Sequence, residues 1–121
     1  MTCAIGGMNP NPSSHRFRAY DLSLAALRLT RAPLARIRRV DRSIADQLQR
    51  AAASVSLNLA EGAKRRGPDR AHFYRMAAGS AAEARACFDI AAALGLVEPD
   101  AAAAAWQAFD GVAAMLYRLT R

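Results

Sequence analysis

Residues 54 to 62, SVSLNLAEG, set Ser54, Asn58 and Glu61 four and three residues apart, so all three share one side of any helix that carries them. Downstream, the pattern Ala77-x-Gly79-Ser80-x-x-Glu83 adds a second hydroxyl and a second carboxylate. These groups admit two kinds of chemistry. In one, Ser54, Asn58, Glu61, Ser80 and Glu83 hydrogen-bond between two packed helices and fix their register at some cost in stability, with Arg50 or Arg75 compensating the acids. In the other, Glu61 and Glu83 are an acid–base pair, with His72 near them. The first reading fits better, because no phosphate loop, no nucleophile–histidine–acid triad and no metal-ligand spacing accompanies the carboxylates. The expectation is a chain that is no enzyme and carries no metal or cofactor, with His72 contacting Glu61.

Four helical segments would position these groups. Ser13 and Ser14 offer caps for a first helix to about Thr30, with Phe17, Tyr20, Leu24 and Leu27 as its apolar stripe and Pro33 as its stop. The linker 32–40 is expected to be at most partly helical. A second helix starts near Asp41 or Ser43 and runs to about Ala63, lined by Ile44, Leu48, Ala52, Val55 and Leu59. The third begins at Pro68 and Asp69, carries Phe73, Ala77, Ser80, Ala84, Cys87, Ala91 and Leu94, and stops at Gly95. Asp100 can cap a fourth, with Trp106, Phe109, Ala113, Leu116 and Tyr117 or Thr120 facing inward. No segment alternates with period two. Short connections favour antiparallel neighbours, so the expected fold is all-α: an up-down-up-down four-helix bundle over 14–121, preceded by a disordered leader, 1–13. Turning the third helix back about Arg66 sets Ser54 level with Ala78 and Gly79, where Gly79 and Ser80 would let the backbones approach.

Composition bounds the partners. Of 121 residues, 53% are hydrophobic and only 7% aromatic, which suits one small, alanine-rich core. The net charge of +7 is built on arginine, with Lys64 the lone lysine, and arginine forms bidentate contacts with phosphate. Residues 16 to 75 hold fourteen cations against five anions, whereas 76 to 121 hold three against five. In an antiparallel bundle Arg16, Arg18, Lys64, Arg65, Arg66, Arg70, Arg118 and Arg121 gather at one end as a nucleic-acid-binding candidate. Arg31, Arg36, Arg38, Arg39 and Arg42 go to the other, offset by Asp41, Glu98 and Asp100. Tyr20, Tyr74 and Tyr117 read as core or interface residues, and Trp106 and Phe109 as core, so no base-stacking set is expected. Cys3 and Cys87 form no framework, the start lacks a secretory pattern and no apolar run spans a membrane, which together suggest a cytoplasmic protein.

The run S-V-S-L-N-L-A-E-G (54 to 62), then Phe73 and A-x-G-S-x-x-E (77 to 83), resembles the bacterial four-helix-bundle proteins named for ribosomal-RNA intervening sequences. That family includes the accessory variability determinant of diversity-generating retroelements. The resemblance spans about residues 16 to 119 and implies a protomer that assembles into a ring, typically a homopentamer, with a basic surface. In the retroelement branch it also implies a reverse transcriptase and nucleic acid as partners. Two readings of function stay open. One is a non-catalytic oligomeric scaffold binding RNA or DNA through the phosphate backbone; the alternative is a protein–protein interaction module with an acidic protein partner and no direct nucleic-acid role.

Overall fold

Asp41 alone separates the first two helices, α1 (Ser14–Val40) and α2 (Arg42–Ala63). Its backbone is extended (φ −139°, ψ 99°), and its Oδ1 accepts from the Ile44 amide at 3.0 Å, satisfying an orphan donor of the first turn of α2. In this computed structural model residues 14–121 are described, with side chains from Arg18 onward, so the expected disordered leader lies outside the described residues. Two further helices follow, α3 (Gly67–Ala93) and α4 (Pro99–Thr120), and no strand occurs among the described residues.

The first helix does not stop where Pro33 suggested. Proline removes one helical donor and crowds the preceding turn, yet α1 continues to Val40, so the whole of 32–40 is helical. Packing overrides the local preference: Pro33 is buried, Ile37 is fully buried, and Arg38 is tied to Asp46 of α2 at 2.6 Å. Glycines with positive φ mark two of the turns. Gly67 (φ +55°) opens α3 ahead of Pro68, with Asp69 in the first turn, and Gly95 (φ +75°) follows the end of α3 as expected. Asp100 is not the cap of α4. Glu98 holds that position without a side-chain bond, and Asp100 sits in the first turn, where a carboxylate complements the helix dipole.

Each helix packs against two neighbours, α1 on α2, α2 on α3, α3 on α4 and α4 on α1, around one shared core. Alanine makes up half of the core cluster among the described residues, so the helix axes come close, and Phe88, Phe109, Ile37, Leu48 and Leu116 supply the bulk. Phe88 and Phe109 meet across α3 and α4 with ring centroids 6.4 Å apart. The expected stripe of α2 is observed except that Ile44 is only half-buried. On α1 the inward residues are Ala19, Ser23, Ala26, Thr30, Pro33 and Ile37, while Tyr20, Leu24 and Leu27 are half-buried on the flanks. On α3 Tyr74, not Phe73, is buried, and Leu94 is 61% exposed. Tyr117 is 65% exposed rather than core, and Trp106 is half-buried.

Candidate nucleic-acid interface

The polar face of α2 meets α3 through two cross-helix bonds. Ser80 Oγ donates to Ser54 Oγ at 2.9 Å, and Gln47 Nε2 donates to Glu83 Oε2. Asn58 instead turns back on its own helix, its amide donating to Ser54 O and Ser54 Oγ, both at 3.0 Å. Glu61 does not reach α3 in the expected way either. Its Oε2 accepts from Arg65 Nε at 3.0 Å and Nη2 at 2.7 Å, an i,i+4 pair in the favourable Glu-before-Arg order. Arg65 thus takes the compensating role expected of Arg50 or Arg75, and Arg50 reaches Glu83 only through Gln47, to whose Oε1 it donates at 3.1 Å. His72 stands edge-on to the Phe73 ring, 5.5 Å between centroids, and is not the partner of Glu61. Glu61 and Glu83 are anchored at positions 61 and 47 of α2, roughly 21 Å apart along the helix, too far to act as one acid–base pair.

The backbone approach expected at Gly79 lies elsewhere. Gly79 is exposed, and a Cβ added there would have no neighbour within 4 Å. At Gly62 an added Cβ would sit 2.5 Å from Tyr74 Cε1 and 2.7 Å from Cδ1, so this glycine is the seat of the buried Tyr74 ring. The sequence carried that signal: Gly62 continues the Val55–Leu59 stripe by three, while Gly79 stands two residues from Ala77, on the opposite side of α3.

Around the α2–α3 turn the cations divide by what they touch. Arg65 is spent on structure: beyond Glu61, it donates to Asp69 at 2.9 Å and lies 4.8 Å from the Phe73 centroid. The bonds from Glu61 and then Asp69 push its pKa further above the ordinary arginine value. Arg70 Nε donates to the Gly62 carbonyl at 3.4 Å, closing the end of α2. Lys64 and Arg66 are exposed. Arg18 and Arg118 line one depression of about 250 Å³ with Met115 and Leu119, and Arg121 lies 6.0 Å over Tyr117. Arg16 falls within α1, but its side chain is outside the described residues.

Along α1 and the start of α2 the arginines are freer. Arg38 is anchored, donating to Asp46 Oδ1 at 2.6 Å and Gln49 Oε1 at 2.5 Å, and the bond to Asp46 holds that carboxyl below its ordinary value despite some desolvation. Arg28, Arg31, Arg36, Arg39 and Arg42 are exposed and make no ion pair among the described residues. In the acid-rich half, Arg85 is bound to Asp110 at 2.8 Å and lies 5.5 Å over Trp106. Cys87 is buried, and burial, with Glu83 adding a smaller effect, raises its thiol pKa. No group of side chains among the described residues could hold a metal ion, and no described helix is long and apolar enough to cross a membrane.

Together these features define an all-α, four-helix protein with a small-residue core and arginines that mostly face solvent without counter-ions. The profile described as 23S rRNA-intervening sequence protein matches residues 17–118, and the chain belongs to that family. Comparison with curated proteins finds no match.

Proposed function

We propose that this chain is a non-catalytic basic scaffold that binds RNA or DNA mainly through the phosphate backbone. The observation that carries this reading is that the exposed Arg28, Arg31, Arg36, Arg39 and Arg42 make no ion pair among the described residues, since a guanidinium without a counter-ion is the group best suited to a phosphate. A family named for sequences within ribosomal RNA agrees with it. Cross-helix pairs support an up-down-up-down protomer: Ser23 with Ser56 and Arg38 with Asp46, Gln47 with Glu83 and Ser54 with Ser80, and Arg85 with Asp110 and Phe88 with Phe109 each pair rising numbers on one helix with falling numbers on the next. Exposed apolar side chains, Val40 at 70%, Leu57 at 69% and Leu94 at 61%, suit contacts with further copies in a ring. Light scattering giving several times 13.0 kDa supports that assembly, and a strict monomer at micromolar concentration contradicts it.

Filter binding of labelled RNA and DNA at low salt tests the function: retention supports it, and failure to retain either overturns it. The same exposed apolar residues favour a second reading, a protein-interaction module. A pull-down that survives nuclease, with no nucleic acid carried through purification, would support that one instead.

A further inference from the structure

The uncommitted cations are not spread evenly, and their placement selects a surface. Two open depressions, of about 440 and 300 Å³, lie along the groove between α1 and α2 and share Arg31, Leu34 and Gln49, so they form one trough. Arg28 stands at one end and Arg39 at the other, about 16 Å apart along α1. On the α2 side, Arg42 shares a helical face with Asp46, Gln49 and Ala53. The only acid on that face, Asp46, is already bound by Arg38. Asp41, between the helices, is occupied as the cap of α2. Three arginines without an ion pair, Arg28, Arg31 and Arg39, therefore line the trough, Arg42 stands at the start of its α2 wall, and no carboxylate is among the lining residues, whereas the α2–α3 turn spends Arg65 and Arg70 on its own carboxylates and carbonyl.

We propose that the α1–α2 trough is the principal phosphate-binding surface and that it takes a double-helical nucleic acid, gripped along one backbone by Arg28, Arg31, Arg39 and Arg42. This rests on the nucleic-acid reading above and adds to it both the place and the class of ligand. The trough floor is aliphatic, with Leu27, Leu34 and Ala53, and no aromatic ring lines it, so it offers unpaired bases no stacking platform. What it offers is a line of fixed charge. A duplex carries twice the axial charge density of a single strand, so each phosphate neutralised along the gripped backbone releases more condensed counter-ion, about 0.9 against about 0.7 per contact.

The test is fluorescence anisotropy with a labelled RNA duplex, a DNA duplex of the same sequence and the unpaired strand, over a series of salt concentrations. Two variants that lose equal charge are compared, R31Q/R39Q in the trough and K64Q/R66Q at the turn, each checked by circular dichroism for an unchanged fold; these side chains are exposed and make no described contact. The trough variant should lose about tenfold in duplex affinity, and its plot of log K against log salt should flatten by about 1.8, or 0.9 for each lost phosphate contact. The turn variant should lose less than about threefold. Tighter binding of either duplex than of the strand supports the ligand class. Equal losses in the two variants, a larger loss at the turn, or a preference for the unpaired strand overturns this inference alone. No binding of any probe by the unaltered chain overturns the reading it rests on as well.

Discussion

Alanine at Gly62 and at Gly79 is one substitution with two opposite expected outcomes. Both glycines are helical with ordinary φ, so each replacement gains helix propensity, about 0.8–1 kcal/mol in a helix interior and less at Gly62, one residue from the end of α2. At Gly79 nothing opposes the gain, because the new methyl meets no atom within 4 Å. G79A should stabilise by about 0.5–1 kcal/mol. At Gly62 the methyl would fall 2.5 and 2.7 Å from two ring carbons of Tyr74 and 3.1 Å from Phe73 Cβ. The ring is only 3% exposed and cannot swing aside, and the Gly62 carbonyl is held by the Arg65 amide at 2.9 Å and by Arg70, so the helix end cannot easily retreat. Overpacking of this kind costs about 1–3 kcal/mol, which exceeds the reduced propensity gain and leaves G62A about 1–2 kcal/mol destabilised. Urea unfolding with unchanged m-value reads both signs, and thermal melts should move by about 4 °C per kcal/mol. In a Y74L background the cost of G62A should shrink, because the smaller side chain vacates the ring positions. A stabilised G62A, or a cost that is the same in the Y74L background, would refute the packing argument.

The buried bond between α1 and α2 is directional in its consequences. Ser23 Oγ donates to Tyr20 O at 2.6 Å and shares a 2.7 Å bond with Ser56 Oγ, so S56A leaves Ser23 satisfied while S23A strands the Ser56 hydroxyl; urea melts should show S23A costing about 1–2 kcal/mol and S56A less than about 1. Asp46 has a folded pKa lowered by Arg38, so its bond contributes fully above the ordinary value of 3.8 and is lost as pH falls through the lower folded value. The melting temperature of D46N should therefore lie below that of the unaltered chain at neutral pH, and the gap should close as pH falls below 3.8; a constant gap would contradict this. In a C3S background, which leaves Cys87 as the one thiol, a disulfide reagent should react slowly with the native chain and fully in denaturant, because burial both shields the sulfur and raises its pKa.

Much of the architecture was legible because it is written in local chemistry. Asp41 three residues before Ile44, Pro68 and Asp69 at a helix start, and Gly95 after one are signals that act within a single turn. The extent of α1 was not legible, because what carries it past Pro33 is burial of Ile37 and the bond from Arg38 to Asp46, eight residues further on, both tertiary effects. The inward face of α1 lies a step away from its most apolar stripe for a related reason: Ala19, Ser23, Ala26 and Thr30 are small or polar and pack closely, and the larger leucines sit on the flanks of the contact. Within the polar face, Ser54 and Ser80 do bond across α2 and α3, whereas Glu61 takes the i,i+4 partner Arg65, a spacing legible in the sequence, in place of a longer-range one. The basic half of the chain could be counted from sequence. Which guanidinium groups are already bound could not, since that depends on where Asp46, Asp69 and the Gly62 carbonyl come to lie.

The central claim is that free arginines meet phosphate, and the dependence of affinity on salt addresses it most directly. Titrating a labelled duplex between low and moderate ionic strength should give a straight line of log K against log salt, with a slope near −3.6 if Arg28, Arg31, Arg39 and Arg42 each neutralise one phosphate. A slope near zero, or no binding at the lowest salt, would contradict the account.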